Sequence, residues 1–440
     1  MPFRQAVKAW FTISLQTFGG PAGQIAVMQR HLVDERRWIG QKRYMHALNF
    51  CMLLPGPEAQ QLAIYVGWLL NGMRGGLVAG TLFVLPGLVA LLGLSAVYVG
   101  FGDTTMVTSI FAGLAPAVVA IVAQAVWRVG SRALTSSMLV GFAVVSFLAL
   151  AVFGVPFPVV ILAAAVAGWL LHRWRPALVV AGGHGGEVDG PAPLISDDEL
   201  HHDQPSRRRA AVILGVGLAV WFVPVALVVA VTGIGSVFTQ QALFFSGTAV
   251  VTFGGAYAVL AYVAQRAVEH YAWLSAGDMV RGLALAETTP GPLIMVVQFV
   301  AFLGAYHHPG SVNPWLAGVI ASLLTTWVTF VPCFLFVLLG APYIERLRGN
   351  HALSAALTGI TAAVVGVIAN LALYFALHTL FAETHTGWLH VQVPDLATFR
   401  PSSLVIALVA AVLVFRFKWS VLRVLGVAAV LGLVAGLLGW

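Results

Sequence analysis

Long apolar runs separated by short polar loops fill almost the whole sequence, and no other feature constrains the fold as strongly. Of the 440 residues, 60% are hydrophobic and 9% are charged, which is too little charge to cover a soluble domain of this size. A run of about 20 apolar residues can cross the hydrocarbon core of a bilayer as a helix, which satisfies its own backbone hydrogen bonds. The sequence therefore predicts an all-α polytopic membrane protein whose solvent is lipid.

Other features of the composition exclude whole classes of protein. Residues 1–18 are basic and amphipathic but lack a small-residue cleavage site, so we do not expect a removable signal segment. Cys51 and Cys333 both lie in apolar sequence, which favours packing over a disulfide or a metal site. The net charge of +7 lacks the basic face and interleaved aromatics of a nucleic-acid-binding protein. No HExxH motif and no ATP-binding loop occur, so we expect neither an enzyme nor a cofactor.

The chain contains an internal repeat. Three features recur at one offset of 235 residues (253 − 18, 290 − 55 and 273 − 38), namely Phe-Gly-Gly at 18–20 and 253–255, Pro-Gly-Pro at 55–57 and 290–292, and Trp38 and Trp273. Further along, Phe83-Val84-Leu85-Pro86 resembles Phe330-Val331-Pro332, and the loop at 307–314 explains most of that longer offset. We expect an N-terminal transporter repeat, a cytoplasmic hydrophilic linker, a connecting transmembrane helix and a C-terminal repeat, at 1–172, 173–209, 210–234 and 240–440.

Charge in the loops predicts how the first half lies in the membrane. Lys and Arg concentrate in loop 29–43 and recur at Arg74, and such loops stay on the cytoplasmic side. Only segment 44–70 separates them, so this segment returns to the side that it left. We expect a re-entrant hairpin there, bent at Pro55-Gly56-Pro57 and enclosed by protein or lining a cavity.

The second half shows the opposite pattern of charge. Its equivalent loop, 265–281, balances Arg266 and Arg281 with Glu269 and Asp278, and has no basic excess. With one connecting helix between the halves, this predicts two inverted-topology repeats with about 13 membrane segments, including broken or re-entrant helices. The N-terminus is then cytoplasmic and the C-terminus periplasmic or extracellular. Two parallel repeats whose segments all span the bilayer are the alternative.

The four Gly/Pro motifs predict breaks where one half-helix ends and another begins. A helix start has unpaired N–H groups and a partial positive charge, which suit an anion. Proline fits the first turn, and glycine lets a ligand approach the backbone. Glu58 and Glu287, beside two of the breaks, are candidates to bind a proton or cation whose movement is coupled to anion release. The alternatives are that the motifs only permit close helix packing and that Glu58 only complements a helix N-terminus.

Neutral amide and hydroxyl donors near the breaks suit an oxyanion that is held without a permanent countercharge. The predicted substrate-binding residues are Phe18, Gly19, Gly20, Pro21, Gln24, Pro55, Gly56, Pro57, Gln60, Gln61, Phe253, Gly254, Gly255, Thr288, Thr289, Pro290, Gly291 and Pro292. We interpret Arg30 and Arg36 as interfacial anchors rather than anion attractors, and the acidic, His-bearing run 197–203 as a solvated face rather than a metal site.

Phe-Gly-Gly-Pro-Ala-Gly-Gln at 18–24 and Leu-Pro-Gly-Pro-Glu-Ala-Gln-Gln-Leu at 54–62, with their second copies, resemble the chromate ion transporter family in its long, two-domain form. The resemblance covers nearly the whole chain. It implies export of chromate across the bacterial inner membrane and chromate resistance, with sulfate as a competing dianion. The second copy departs at Ala256, where the first has Pro21, and at Leu293, where the first has Glu58. The two half-sites are therefore not chemically equivalent.

These observations favour a secondary active transporter in which Glu58 or Glu287 couples proton movement, or in which the membrane potential drives transport. Its expected partners are chromate, sulfate as a second candidate, and membrane lipids. A carrier for sulfate or another oxyanion and a passive anion channel remain alternatives, and homo-oligomerisation stays open.

Overall fold

The computed structural model describes residues 1–102, 104–174, 194–195, 206–253, 255–343 and 351–438. These residues form sixteen α-helices and one short β-hairpin. In chain order they are α1 (Phe3–Ser14), α2 (Gly20–Gln29), α3 (Gln41–Leu53), α4 (Glu58–Phe101), α5 (Thr105–Ala133), α6 (Ser137–Ala151), α7 (Phe157–Trp174), α8 (Arg207–Thr232), α9 (Val237–Val251), α10 (Ala256–Gln265), α11 (Ala276–Thr288), α12 (Val296–His307), α13 (Pro314–Gly340), α14 (His351–Leu380), β1 (Thr384–Thr386), β2 (Gln392–Pro394), α15 (Pro401–Phe415) and α16 (Val421–Leu437).

Five of the described helices, α4, α5, α8, α13 and α14, are long and apolar enough to cross a membrane. Six further apolar helices are shorter. The prediction of a predominantly α-helical membrane protein is therefore confirmed. One element was not predicted: β1 and β2 pair antiparallel, with Thr384 opposite Pro394, inside the loop that connects α14 to α15.

The same order of helices occurs twice along the chain. The bounds of α3 and α11 differ by 235 residues at both ends (276 − 41 and 288 − 53). A π-helical turn follows both α2 and α10, at Arg30–Glu35 and Arg266–His270. α5, α6 and α7 are followed later by α14, α15 and α16 in the same order, and α8 lies between the two series. The helix pattern thus repeats as the sequence motifs do.

One helix contains a predicted turn, and another is longer than its apolar run. α4 covers Glu58 to Phe101, but Asn71 and Gly72 are not helical, and Cβ atoms on Gly76 and Gly80 would contact Ile64, so the chain folds back there. Arg74 therefore lies beside a turn, as its charge predicted. α5 continues to Ala133, so Arg128 belongs to the helix and does not mark its end. A basic side chain near a helix end can extend its charge toward the interface while its backbone stays helical.

Glycines bring α5 and α16 into close contact. A Cβ on Gly113 would lie 2.0 Å from the carbonyl oxygen of Ala428, and a Cβ on Gly432 would lie 2.3 Å from that of Ser109. Small residues allow such an approach, which supplies van der Waals contact where lipid gives no hydrophobic driving force. Because residue numbers rise along α5 while they fall along α16, the two helices run antiparallel.

α14 makes the equivalent contacts with α7. A Cβ on Gly168 would lie 2.6 Å from the carbonyl oxygen of Ala355, and one on Gly359 would lie 2.5 Å from that of Ala164. These two helices are antiparallel as well. Against α6, however, α14 runs parallel: Leu139 and Gly359 line one small cavity, and further along a Cβ on Gly366 would meet the carbonyl oxygen of Ala143.

The linker 173–209 lies mostly outside the described residues, and the acidic run 197–203 lies wholly outside them, as do Asp103 and the basic residues Arg346 and Arg348. Two described linker residues are paired with the loop that precedes α3. The Leu194 N–H donates to the Arg37 carbonyl at 3.0 Å, and the Ile195 N–H donates to the Trp38 carbonyl at 3.1 Å. Part of the linker is therefore held against the basic loop 29–43.

Candidate substrate site at the helix breaks

Four breaks interrupt the helices where the Gly/Pro motifs predicted them. We name them break 1 (15–19, between α1 and α2), break 2 (54–57, between α3 and α4), break 3 (252–255, between α9 and α10) and break 4 (289–292, before the 3-10 turn Leu293–Met295 that leads into α12). Gly56 and Gly291 have φ of 127° and 104°, a backbone conformation that side chains disfavour. Glycine is required at both positions. Gly254, in break 3, lies outside the described residues.

The breaks hydrogen-bond to each other in two pairs. The Gly56 N–H of break 2 donates to the Thr252 carbonyl of break 3 at 2.8 Å. The Gly291 N–H of break 4 donates to the Thr17 carbonyl of break 1 at 2.9 Å. Both donors and both acceptors are separated by the 235-residue offset (291 − 56 and 252 − 17). Each bond therefore joins the two halves, and the repeat relates one bond to the other.

Two long helices contact the Pro-Gly-Pro breaks, each from the opposite half. A Cβ on Gly87, in α4, would lie 2.5 Å from the carbonyl oxygen of Pro290. A Cβ on Gly56 would lie 2.8 Å from the Sγ of Cys333, in α13. Gly87 directly follows Pro86, and Cys333 directly follows Pro332. The two prolines are 246 residues apart (332 − 86), and so are Gly87 and Cys333 (333 − 87). Cys51 and Cys333 are free and buried.

The helices that begin at the breaks have no side-chain caps. Gly19 precedes α2, Pro57 precedes α4 and Gly255 precedes α10, and none of them has a side chain that accepts from the helix start. By contrast, Ser136 caps α6 and Asn313 caps α13 through side-chain oxygens. An uncapped start leaves N–H groups free for another acceptor, with the helix dipole favouring an anion.

Three predicted glutamines lie around these starts. The Gln24 amide donates to the Gly291 carbonyl at 2.6 Å, so α2 is tied to break 4. The Gln61 amide donates to the Pro55 carbonyl at 2.7 Å and holds break 2. Gln60 is 0% exposed, and neither its amide nitrogen nor its oxygen has a partner among the described residues. An unpaired buried amide costs about 1–3 kcal/mol, which makes Gln60 a candidate to bind a polar ligand.

The remaining predicted residues are less available for binding. The hydroxyls of Thr288 and Thr289 donate to the carbonyls of Leu285 and Ala286, within α11, so their hydrogens face the helix. Phe18 and Phe253 are half-buried. Pro21 lies in the first turn of α2, where its missing N–H is not needed. Pro57, Pro290 and Pro292 flank the glycines at breaks 2 and 4.

The two glutamates differ in their surroundings. Glu58 is the first residue of α4 and half-buried, and no hydrogen bond or ion pair engages it within the described part of the chain. Glu287 is 1% exposed, and its Oε1 accepts a hydrogen bond from the Tyr257 hydroxyl at 2.5 Å. The other oxygen of Glu287, Oε2, has no partner among the described residues.

Sequence reasoning missed two residues here, Tyr257 and Arg128. A Cβ on Gly20 would lie 3.5 Å from the Tyr257 hydroxyl, which places that hydroxyl against the start of α2. Arg128, on α5, lies within electrostatic range of both Tyr257 and Glu287. A tyrosine two residues after the second Phe-Gly-Gly motif was the available signal for Tyr257.

Polar groups near the helix ends form separate clusters. Glu35 is 3.6 Å from Arg30 and 3.7 Å from Arg36, so a carboxylate partly neutralises both basic residues. At another helix end, the Tyr98 hydroxyl donates to Asp278 and accepts from Arg281 at 3.0 Å. This second cluster joins the end of α4 to the start of α11.

Comparisons with known proteins agree with the motifs at the breaks. A family profile described as "Chromate transporter" matches residues 4–169 and 239–437. Over 451 residues the chain is 32% identical to a chromate transport protein of Pseudomonas aeruginosa, covering 100% of this chain and 92% of the relative. A chromate transport protein of Cupriavidus metallidurans is 28% identical over 435 residues, covering 98% of this chain and 93% of the relative. No solved structure matches the chain. The resemblance carried by the break motifs is thus confirmed, and the chain belongs to the chromate transporter family.

Proposed function

We propose that the chain is a secondary active transporter that exports chromate from the bacterial cytoplasm across the inner membrane and so confers chromate resistance. The observation that carries the proposal is the pair of repeat-related hydrogen bonds, Gly56 to Thr252 and Gly291 to Thr17, which join break 2 to break 3 and break 4 to break 1 across the two halves. Transporters built from repeats place their substrate where such broken helices meet. The names of the relatives support chromate as the substrate.

The directions of the packed helices support an inverted arrangement of the repeats 1–172 and 240–440. α14 runs antiparallel to α7 and parallel to α6, as the contacts of Gly359 and Gly366 indicate. Short connections reverse the chain from α5 to α6 and again to α7, so α5 shares the direction of α7. α14 therefore opposes its own counterpart, α5. In parallel repeats the two would run the same way.

The chemistry at the breaks suits a tetrahedral dianion. Uncapped helix starts supply backbone N–H groups and a partial positive charge. The buried amide of Gln60 adds a donor that has no partner among the described residues. Neutral donors of this kind bind an oxyanion and still release it, because no permanent countercharge holds it in place.

The membrane potential is a sufficient driving force for export. Moving a dianion out of a compartment that is 100 mV negative is worth about 4.6 kcal/mol, twice the value for a single charge. Glu58 and Glu287 lie beside the breaks and are the groups through which proton movement is coupled to the anion. In this arrangement the N-terminus is cytoplasmic and the C-terminus is on the outer side.

The test is transport by the purified protein in liposomes. We expect chromate uptake that follows an imposed potential and pH gradient, with sulfate competing. Uptake that follows only the potential and does not saturate with chromate would identify a passive channel. Sulfate transport without chromate transport would identify a sulfate carrier. Glu58→Gln and Glu287→Gln should alter the pH dependence, whereas Glu269→Gln, at an exposed carboxylate, should not. Unchanged pH dependence in both of the first two variants would contradict the coupling role.

A further inference from the structure

The buried pair Tyr257–Glu287 lies at the start of α2, where breaks 1 and 4 meet. The Tyr257 hydroxyl donates to Glu287 Oε1 at 2.5 Å, and the same hydroxyl lies 3.5 Å from the position of a Cβ on Gly20. Gly20 begins α2, whose first N–H groups have no side-chain cap. The Gln24 amide, one turn later, donates to the Gly291 carbonyl of break 4. An oxyanion bound to the start of α2 would therefore lie beside the Tyr257 hydroxyl.

Tyr257 has one hydroxyl hydrogen and two candidate acceptors. Tyr257 donates this hydrogen to Glu287 in this structure, but an oxyanion at the start of α2 would compete for the same hydrogen. Glu287 would then lose its hydrogen-bond donor while facing a dianion at short range. Because the Glu287 carboxylate is 1% exposed, water cannot replace the lost hydrogen bond. Its Oε2, which has no partner within the described residues, is where a proton would bind.

Arg128, the other charged group near this pair, does not prevent Glu287 from binding a proton when the substrate is bound. Among the described residues, Tyr257 on α10 and Arg128 on α5 are the groups that act on Glu287. Asp278 and Arg281 share α11 with Glu287 but lie at its other end, where they pair with Tyr98. Arg128 favours an ionised Glu287 only while no dianion offsets its positive charge. A bound substrate dianion offsets that charge, so Arg128 then stabilises the ionised carboxylate less and Glu287 binds a proton more readily.

Only one half of the protein carries the pair. At the 235-residue offset, the counterparts of Tyr257 and Glu287 are Ala22 and Met52, which neither donate nor titrate. One transport cycle therefore involves one such proton site.

We infer that Tyr257 is a donor shared between Glu287 and the substrate oxyanion, so that one proton binds to Glu287 whenever the oxyanion binds and crosses the membrane with it. In that step the hydrogen bond from Tyr257 to Glu287 breaks, a hydrogen bond from Tyr257 to the oxyanion forms, and a proton from solution enters at Oε2. The inference rests on the proposed function and specifies the direction of proton movement relative to the anion. Proton and dianion move together, with a net charge of −1.

The accumulation ratio of chromate in liposomes tests this sign. With the full-length protein at alkaline pH on both sides, where chromate stays a dianion, the potential and the pH gradient are imposed separately. Co-transport of one proton predicts a tenfold change in ratio per pH unit, favouring the alkaline side, and about a 50-fold change per 100 mV. A dianion without a proton predicts about 2,000-fold per 100 mV and no effect of the pH gradient. Exchange against a proton predicts a pH effect of opposite sign.

Variants separate the roles of the two residues. Tyr257→Phe and Glu287→Gln should abolish the tenfold effect of a pH unit and steepen the potential dependence, because the chromate then travels alone. Tyr262→Phe, at a tyrosine on the same helix that stacks on Phe157, and Glu269→Gln should keep the wild-type gradients. A merely structural Tyr257 would leave the pH effect intact in Tyr257→Phe, and that result would overturn the inference.

The possible failures are distinguishable. If the wild-type protein moves neither chromate nor sulfate, the proposed function fails and the inference fails with it. If it moves chromate without a pH effect, or with one of opposite sign, only the inference fails. The wild-type gradients decide this even where a variant does not fold.

Discussion

The close contacts at Gly113 and Gly359 bear on the stability of the protein and on the relative direction of its two halves. A Cβ on Gly113 would lie 2.0 Å from the Ala428 carbonyl oxygen and 2.8 Å from the Cα of Gly432. A Cβ on Gly359 would lie 2.5 Å from the Ala164 carbonyl oxygen. Because relaxed contacts between such atoms fall near 3.5 Å, an alanine at either position forces the helices apart by about 1 Å.

The size of the effect follows from two opposing terms. A gap of about 1 Å forfeits up to half of each van der Waals contact along the helix pair, and overpacking of this kind costs about 1–3 kcal/mol. Alanine regains up to about 1 kcal/mol over glycine within a helix. We therefore expect a net loss of about 1–2 kcal/mol for Gly113→Ala and for Gly359→Ala. Gly93→Ala and Gly141→Ala are matched controls, since a Cβ at either position meets nothing within 4 Å.

The measurement is the half-life of monodisperse protein in detergent at one elevated temperature. A loss of 1–2 kcal/mol corresponds to a folded population that is about 5- to 30-fold less favoured, so the two contact variants should inactivate markedly faster than the wild type. The two controls should match or outlast it. If all four variants behaved alike, the contacts would be absent, and the argument for opposed halves would lose its basis.

Three further changes have defined outcomes. Gln60→Leu should leave the fold as stable or more stable, because it removes a buried amide without partners, while weakening chromate uptake; thermal unfolding and transport measure both. Glu58→Gln should lower the KM for chromate about two- to fivefold, because an ionised Glu58 competes with the anion for the start of α4, and initial rates at several concentrations test this. Tyr98→Phe should speed hydrogen–deuterium exchange at the start of α11, because the Tyr98 hydroxyl bridges Asp278 and Arg281. Unchanged exchange there would show that the cluster does not stabilise the start of α11.

The positions of the helix breaks could be predicted because their cause is local. Gly56 and Gly291 adopt a backbone conformation that other residues disfavour, and the flanking prolines lack the N–H that a continuous helix needs. The end of α5 could not be predicted in the same way. Charge placement there reports the position of the membrane interface, and a helix can cross that interface without ending, as α5 does beyond Arg128.

Contacts within the site could be predicted only in part. Glu287 became a candidate because a carboxylate in a membrane segment is costly, and Gln24 because it is a neutral donor near a break. Tyr257 was not identified, because its role depends on a contact with α11 and on the approach of α2 from the other half. Gly20 and Tyr257 are separated by 237 positions (257 − 20), and no periodicity in the sequence relates them.

The repeat and the differences between its copies have separate consequences for transport. The paired bonds from Gly56 and Gly291 are made by backbone atoms, so they survive in both halves while the side chains differ. An exchange between two such equivalent backbone arrangements would open the site to either side in turn. The Tyr257–Glu287 pair, however, is present once, because its counterparts are Ala22 and Met52. The proposed inverted duplication would thus explain alternating access by the backbone contacts that the halves share, and coupling by the side chains in which they differ.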